Sequence, residues 1–285
     1  MDTKDTFPTL PADVRLVVTD MDGSLLDENH QIPDDFWPLL DTFLAQNIAF
    51  APASGRQYAT LADQFETVAD RIAVIAENGS VVVDHGELVS AIAIDAGAVT
   101  EVIRAVRAAG DDGLNVGVVL CGLRTAYIER TDELFKEEAT RYYHALEEVD
   151  DLLDVVTGSE DKFVKIAIFD FDDAENSIAP RLAKSASQLK VVVSGAHWVD
   201  VMDPAANKGI ALRNLQESLG VTPAQTVVFG DYLNDLELFE YSELSFAMDN
   251  AHPLVKERAR FLAPANSEQG ALQVLRRLIP ESSSE

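Results

Sequence analysis

The chain has 285 residues, 47% of them hydrophobic, and carries 49 Asp and Glu against 22 Lys and Arg, a formal net charge of −27 at pH 7. That apolar content supports a sizeable core and excludes global disorder. The acidic surplus excludes nucleic acid and anionic lipid as partners, because both are held by clustered Lys and Arg. Cys121 is the single cysteine, so neither an internal disulfide nor a Cys-rich zinc site can form.

The opening "MDTKDTFPTLPADVR" lacks the basic and apolar regions of a secretory signal. No apolar run approaches the roughly 18 residues of a membrane span, so a soluble cytoplasmic protein is expected. In chain order, "RLVVTD" reads as a strand, "DDFWPLLDTFLAQN" as a helix, "IAFAPAS" as a strand, "QYATLADQFET" as a helix and "IAVIAENG" as a strand. Strands alternating with amphipathic helices predict an α/β protein with a largely parallel sheet.

The middle has a different rhythm. Helix "AVTEVIRAVRAAG" precedes strands "LNVGVVL" and "TAYIE", joined by a Gly-containing turn. Helix "DELFKEEATRYYHALEEV", strand "KFVKIAIFD", helix "ENSIAPRLAKSASQL" and strand "KVVVSG" follow. Paired strands with helices between them predict a small α+β module inserted over 89–189 into a discontinuous main domain of 11–88 and 190–285. "HWVDVMDP" is then expected to return the chain to the main domain. "KGIALRNLQESLG" reads as a helix with Gly220 as its C-cap, "TVVFGD" as a buried strand and "LNDLELFEYS" as a helix. "LSFAMDN" is a further strand and "EQGALQVLRRLIP" a closing helix, with flexible termini expected at 1–10 and 280–285.

In "VVTDMDGSLLDE" two acids are separated only by Met21. Extended side chains alternate faces, so Asp20 and Asp22 are expected on one side, where their repulsion calls for a cation or a proton. Ligands collect outside the carboxyl ends of strands in an open parallel sheet. Four such ends carry polar groups whose chemistry converges. They are Asp20 and Asp22; Ser54, Gly55 and Arg56; Asp231 with Asn234 and Asp235; and Lys208 at a helix start.

Such an oxygen-rich cluster suits Mg²⁺, which accepts carboxylates and substrate phosphate oxygens together. Asp is also a covalent nucleophile toward phosphoryl groups. One carboxylate at the metal would stay ionised and attack phosphorus, while the other passes protons to the leaving oxygen and from water. Ser54 and Lys208 would stabilise the phosphoryl oxygens. A calcium loop is excluded, because counting from Asp20 places Leu25 where an EF-hand needs Gly and Gln31 where it needs Glu.

"DMDGSLL", "SGR", the Lys of "NKG" and "GDYLND" resemble, in order, the four motifs of the haloacid dehalogenase superfamily. Their spacing, with "AENG" and "MDNAHPLVKERA", is similar to its Cof-type (subclass IIB) branch, in which a C2-type α+β cap is inserted into a Rossmann-like parallel-sheet core. The resemblance implies a Mg²⁺-dependent phosphatase of small phosphorylated metabolites, such as sugar phosphates. It implies Asp20 as nucleophile, forming an aspartyl-phosphate, and Asp22 as general acid/base. Asp20, the backbone carbonyl of Asp22 and Asp231 would hold Mg²⁺, with Asp235 acting through water or on Lys208. Ser54, Gly55, Lys208 and Asn234 would hold phosphate.

The second motif Asp separates phosphatases and phosphotransferases from dehalogenases. A phosphomutase or phosphotransferase using the same intermediate, and a non-catalytic phospho-ligand binder, are the alternatives. Ser54 stands where Thr is common, and Asp249 where Gly is frequent. Lys208 is electrostatically misplaced at a helix start, which favours a functional role. Arg56 reads either as a substrate contact or as half of a surface ion pair, and Asn78 either as part of a tight turn with Gly79 or as facing the phosphate pocket. Asp27 and Glu28 read as loop acids, Cys121 as a small core residue, and His144, His197 and His252 as structural. Trp198 reads as a packing residue near a hinge.

Overall fold

The computed structural model describes residues 12–279, so the termini expected to be flexible at 1–10 and 280–285 lie outside the described residues. In chain order the first segment holds β1 (Leu16–Asp20), α1 (Phe36–Ala45), β2 (Ala49–Ala53), α2 (Tyr58–Gln64), β3 (Ala73–Ala76), β4 (Val81–Asp84) and β5 (Glu87–Ala91). The middle holds α3 (Ala96–Asp111), β6 (Val116–Gly122), β7 (Ala126–Ile128), α4 (Glu133–Tyr142), β8 (Leu146–Glu148), α5 (Leu152–Gly158), β9 (Phe163–Asp170), α6 (Ile178–Ser185), β10 (Lys190–Val193) and β11 (Trp198–Met202). The last segment holds α7 (Lys208–Leu219), β12 (Thr226–Gly230), β13 (Leu244–Met248), α8 (Pro253–Arg258), β14 (Phe261–Ala263) and α9 (Gly270–Leu278).

These elements form two compact units. The first contains the chain up to Gly55, residues 65–90 and the chain from Asn207 onward. Its sheet runs β14-β13-β12-β1-β2-β3-β4-β5, parallel from β14 through β3 and antiparallel between β3 and β4. The central strand "LVVTD" is buried along its whole length, as a strand covered on both faces must be, and its composition is correspondingly β-branched and apolar. Thr19 registers with Phe229 and Asp20 with Ala53, so β1, β2 and β12 end at the same level. The hairpin between β4 and β5 turns on His85 and Gly86, both at positive φ, as a two-residue turn of this hand requires.

The second unit contains residues 56–64 and 91–206. Its sheet runs β10-β11-β9-β6-β7-β8, antiparallel except between β7 and β8. Val102, Ile103 and Val106 of α3 and Ile178 and Leu182 of α6 pack with Leu120, Ile166, Ile168, Val199 and Val201 into one apolar core. Gly117 makes room for Phe135 of α4, whose ring lies 2.3 Å from where a Cβ would stand. The segment carrying α2 is held to the same unit by Gln57, whose amide donates to Ala145 O (3.0 Å) and accepts from Ala145 N (3.1 Å).

The second unit therefore extends past the boundary expected at 189. Val191 pairs with Val201 and Val199 with Ile168, so β10 and β11 continue the sheet of the inserted module and "HWVDVMDP" does not yet belong to the main domain. Trp198 packs in the second unit against Tyr142, Tyr143 and Phe169, with the closest ring centroid, that of Phe169, at 4.9 Å. The long helix expected over "DELFKEEATRYYHALEEV" stops at Tyr142, because Leu146–Glu148 pair with β7 instead. "LNDLELFEYS" forms two short 3₁₀ turns, Leu233–Asp235 and Leu238–Tyr241, in place of one helix. Among the described residues no helix is long and apolar enough to cross a membrane.

Candidate active site

The level ends of β1 and β12 bring Asp20 and Asp231 together, and α7 adds Lys208. Lys208 is fully buried; its ammonium donates to Asp20 Oδ1 at 2.5 Å and to Asp235 Oδ1 at 2.7 Å. The second oxygen of Asp235 accepts from the backbone N–H of Asp231 (3.0 Å) and of Tyr232 (3.2 Å). Asp235 thus spends both oxygens on fixing Lys208 and the loop that carries Asp231. Those two N–H bonds cap the start of the short Leu233–Asp235 turn.

Asp20, Asp231 and Asp235 each offer a carboxylate oxygen within 4.8 Å of the other two. Three acids against the single ammonium of Lys208 leave two negative charges uncompensated when all are ionised. Burial pushes the Asp20 carboxyl well above the usual carboxylate range, with further repulsion from Asp235 that the ammonium of Lys208 only partly offsets. Burial and then Asp235 push Asp231 up to about 6. Lys208 is driven the other way: burial alone would lower its proton affinity, yet Asp20 and Asp235 together raise it above the ordinary lysine value. A permanent ammonium beside carboxylates short of positive charge fits a hard divalent cation with oxygen ligands. Asp20 and Asp231 are the residues that would hold it.

The local backbone serves this arrangement. β1 ends at Asp20, and Met21–Leu25 form an irregular turn closed by Leu26 N–H donating to Met21 O at 2.9 Å. Gly23 sits there at φ +80, where a Cβ would lie 2.3 Å from Asp231 Oδ2. Only glycine meets both demands. The strict alternation that placed Asp22 beside Asp20 ends with the strand: Asp20 is buried, whereas Asp22 is exposed and its Oδ1 faces His30 Nδ1 at 3.1 Å.

Ser54 is buried just past β2, with its N–H donating to Ile75 O and its carbonyl accepting from Asn78 N, both at 2.9 Å. Gly55 follows, where a Cβ would stand 3.0 Å from the Asn78 amide. Asn78 has φ +53, and its Oδ1 accepts from Asn234 Nδ2 at 3.1 Å, which links the loops after β3 and β12. Asn78 is therefore both part of a tight turn and a neighbour of the expected phosphate loop. Arg56 opens the segment that groups with the second unit.

Three further residues support the site: Ser24 and Asn250, which the sequence does not single out, and His252, which reads there as structural. Ser24 Oγ donates to Asp231 Oδ1 at 3.4 Å, Asn250 Nδ2 donates to Gly23 O at 2.8 Å, and His252 N–H donates to Asp231 O at 2.8 Å. Ser24 lies inside the first motif and could have been found there. Asn250 and His252 lie in the "MDNAHPLVKERA" stretch that carries part of the resemblance, but their partners Gly23 and Asp231 are set by tertiary contacts. Asp249 points to Lys256 Nζ at 3.1 Å, on the surface.

A family model described as haloacid dehalogenase-like hydrolase matches residues 17–275. The phosphatase YbjI of Escherichia coli (strain K12), named for 5-amino-6-(5-phospho-D-ribitylamino)uracil, is 32% identical over 269 residues, covering 93% of this chain and 96% of that protein. The Bacillus subtilis (strain 168) phosphatase YwtE, named for the same compound, is 28% identical over 152 residues, 53% of either chain. Among solved structures, TM0651 from Thermotoga maritima superposes with a TM-score of 0.80 at 24% identity, over 95% of this chain and 98% of that one, a likeness of fold. The subclass IIB sugar phosphatase BT4131 does so with a TM-score of 0.73 at 19% identity, over 93% and 98%. The match from residue 17 to residue 275, carried by strand ends that meet at one carboxylate cluster, shows that the chain belongs to the haloacid dehalogenase-like hydrolases, in the Cof-type branch, as a phosphoric monoester hydrolase.

Proposed function

We propose that the protein is a Mg²⁺-dependent phosphatase of small phosphorylated metabolites, working through a phosphorylated Asp20. The observation that carries this reading is the buried bridge from Asp20 through Lys208 to Asp235, set beside Asp231. A strand-end carboxylate held against a fixed ammonium is preorganised to receive an anionic phosphoryl group, and positioning with electrostatics dominates such reactions.

Mg²⁺ held by Asp20, Asp231 and the Asp22 carbonyl would neutralise charge on the phosphoryl oxygens. Asp20 attacks phosphorus, an Asp20 oxygen–phosphorus bond forms, and the bond to the leaving oxygen breaks as Asp22 gives that oxygen a proton. Water then attacks the same phosphorus, Asp22 takes its proton, and Asp20 is released with inorganic phosphate. Lys208, Ser54, Gly55 and Asn234 hold the phosphoryl oxygens through both steps. Arg56 and Asn78 are candidates to touch the rest of the substrate.

The names of the YbjI and YwtE relatives make a phosphorylated ribityl compound the first substrate to test, ahead of simple sugar phosphates. The test is phosphate release from such a panel, with Mg²⁺ and after chelation. Turnover should require the metal, and Asp20→Asn should lower it by more than about a thousandfold. Undiminished turnover in Asp20→Asn, or none from any phosphoester with Mg²⁺ present, overturns the reading.

A further inference from the structure

We infer that Asn78 is a positioning residue for the phosphoryl site: its side chain holds the Asn234 amide in place across the end of β1. This deepens the reading given under Proposed function and rests on it. Asn78 Oδ1 accepts from Asn234 Nδ2 at 3.1 Å. The two residues follow β3 and β12, which the sheet order β12-β1-β2-β3 sets three strand spacings, roughly 14 Å, apart. Loops on those strands can touch only by leaning over the ends of β1 and β2. Those are the ends that carry Asp20 and lead into Ser54.

The turn that carries Asn78 meets the other groups expected to hold phosphate. Asn78 N–H donates to Ser54 O at 2.9 Å, and a Cβ on Gly55 would stand 3.0 Å from the Asn78 amide nitrogen. On the other flank, a Cβ on Gly79 would collide with Asn207 O and Lys208 N, so the turn packs directly on the start of α7. Glu77, Asn78 and Gly79 all take positive φ, at +51, +53 and +93. Two successive left-handed residues other than Gly persist only where their surroundings hold them. Ser54 with Gly55, Lys208 and Asn234 arrive from separate segments of chain, and this turn sets their mutual register.

Asn234 is exposed, so packing does not select the orientation of its amide. The Asn78 carbonyl oxygen does, because it accepts only from the nitrogen end. The Asn234 Nδ2 group carries two hydrogens; one goes to Asn78, and the other is left to a phosphoryl oxygen. An effect passed through Asn234 falls on the phosphoryl group itself, so it is the same whatever alcohol the phosphate is esterified to. A direct contact of Asn78 with the rest of the substrate would instead vary with that alcohol.

The test measures inorganic phosphate binding by calorimetric titration with Mg²⁺ present, and kcat/KM on a sugar phosphate and on para-nitrophenyl phosphate. Asn234→Ala is made in wild type, in Asn78→Gly and in Asn78→Asp. Gly and Asp both accept the left-handed backbone, and an ionised Asp can only accept a hydrogen bond, so it keeps the bridge from Asn234. Asn234→Ala should weaken phosphate binding roughly tenfold in wild type and in Asn78→Asp, but less than about threefold in Asn78→Gly. Asn78→Gly should lower kcat/KM by the same factor on both esters. If Asn78→Gly does not fold, Asn78→Ser, whose hydroxyl is too short to reach Asn234, takes its place with the same expectation. Equal cost of Asn234→Ala in all backgrounds, no cost in wild type, a cost that vanishes in Asn78→Asp, or an Asn78→Gly loss confined to one ester overturns the assignment. A wild type that binds no phosphate and hydrolyses neither ester overturns the phosphatase reading, and the role of Asn78 with it; an active wild type showing any of those other outcomes overturns the role of Asn78 alone.

Discussion

Lys208 and Asp235 form an ion pair at 2.7 Å in which neither side chain has any exposure to solvent. A pair of this kind is costly to assemble and costlier to break, since removing one partner strands the other in a low-dielectric interior. Asp235→Asn should therefore lower unfolding free energy by about 3–5 kcal/mol, even though Asp20 still faces the ammonium. Urea denaturation reads this directly. A loss below about 1 kcal/mol would mean that the pair contributes no more than a surface bridge.

Asp231 carries a pH signature. Its folded-state value of about 6 lies above the 3.8 of an unperturbed Asp, so the folded protein favours the protonated form. Stability from this group is fully present below pH 3.8 and is lost as pH rises through about 6. The penalty above that is at most about 3 kcal/mol. A bound cation removes it, so Mg²⁺ should raise Tm more at pH 8 than at pH 5, and Asp231→Asn should abolish the difference. A Mg²⁺ response of the same size at both pH values would refute this account.

Gly23→Ala should separate metal binding from folding. The added methyl group meets Asp231 Oδ2, and the φ of +80 adds backbone strain. The strain should cost about 1–3 kcal/mol of stability. Displacement of Asp231 should weaken Mg²⁺ binding by at least about tenfold, measured by calorimetric titration. Unchanged affinity would show that the loop relaxes without moving the carboxylate.

The net charge of −27 predicts a salt effect of its own. Self-repulsion opposes the compact state, and the screening length shrinks from about 10 Å at 0.1 M to about 3 Å at 1 M. Raising KCl over that range should increase Tm by roughly 2–5 °C, whatever the metal content. A flat or falling Tm would show that surface ion pairs, which salt weakens, outweigh the repulsion.

Much of the site was legible because it sits at strand ends. "RLVVTD" and "TVVFGD" announce buried strands by composition, and each ends on an acid that a buried strand does not otherwise need. Lys208 stood out as a cation at the wrong end of a helix, and Asp20 with Asp235 is the physical reason it is there. Asp22 was harder to place: alternation holds only while the chain is extended, and β1 stops at Asp20. The inserted unit was misjudged at 190 because "KVVVSG" and "HWVDVMDP" look the same whichever sheet they join; pairing with β9 decides that. Likewise the stretch Leu146–Glu148 has helical neighbours on its N-terminal side, and only β7 makes it a strand. Gly23 and Asn250 meet across 227 positions of sequence, a distance over which no local reading carries information.

β5 closes one margin of the eight-stranded sheet, with Glu87 and Leu88 turned to solvent. A margin of this sort offers a ladder of amide groups to any passing chain, and the outward leucine would reward the encounter. Glu87, with Asp84 at the foot of the hairpin, sets like charge against like whenever two copies approach through this side. The acidity that looks excessive in the composition thus guards the molecule where its own architecture leaves it open to stacking.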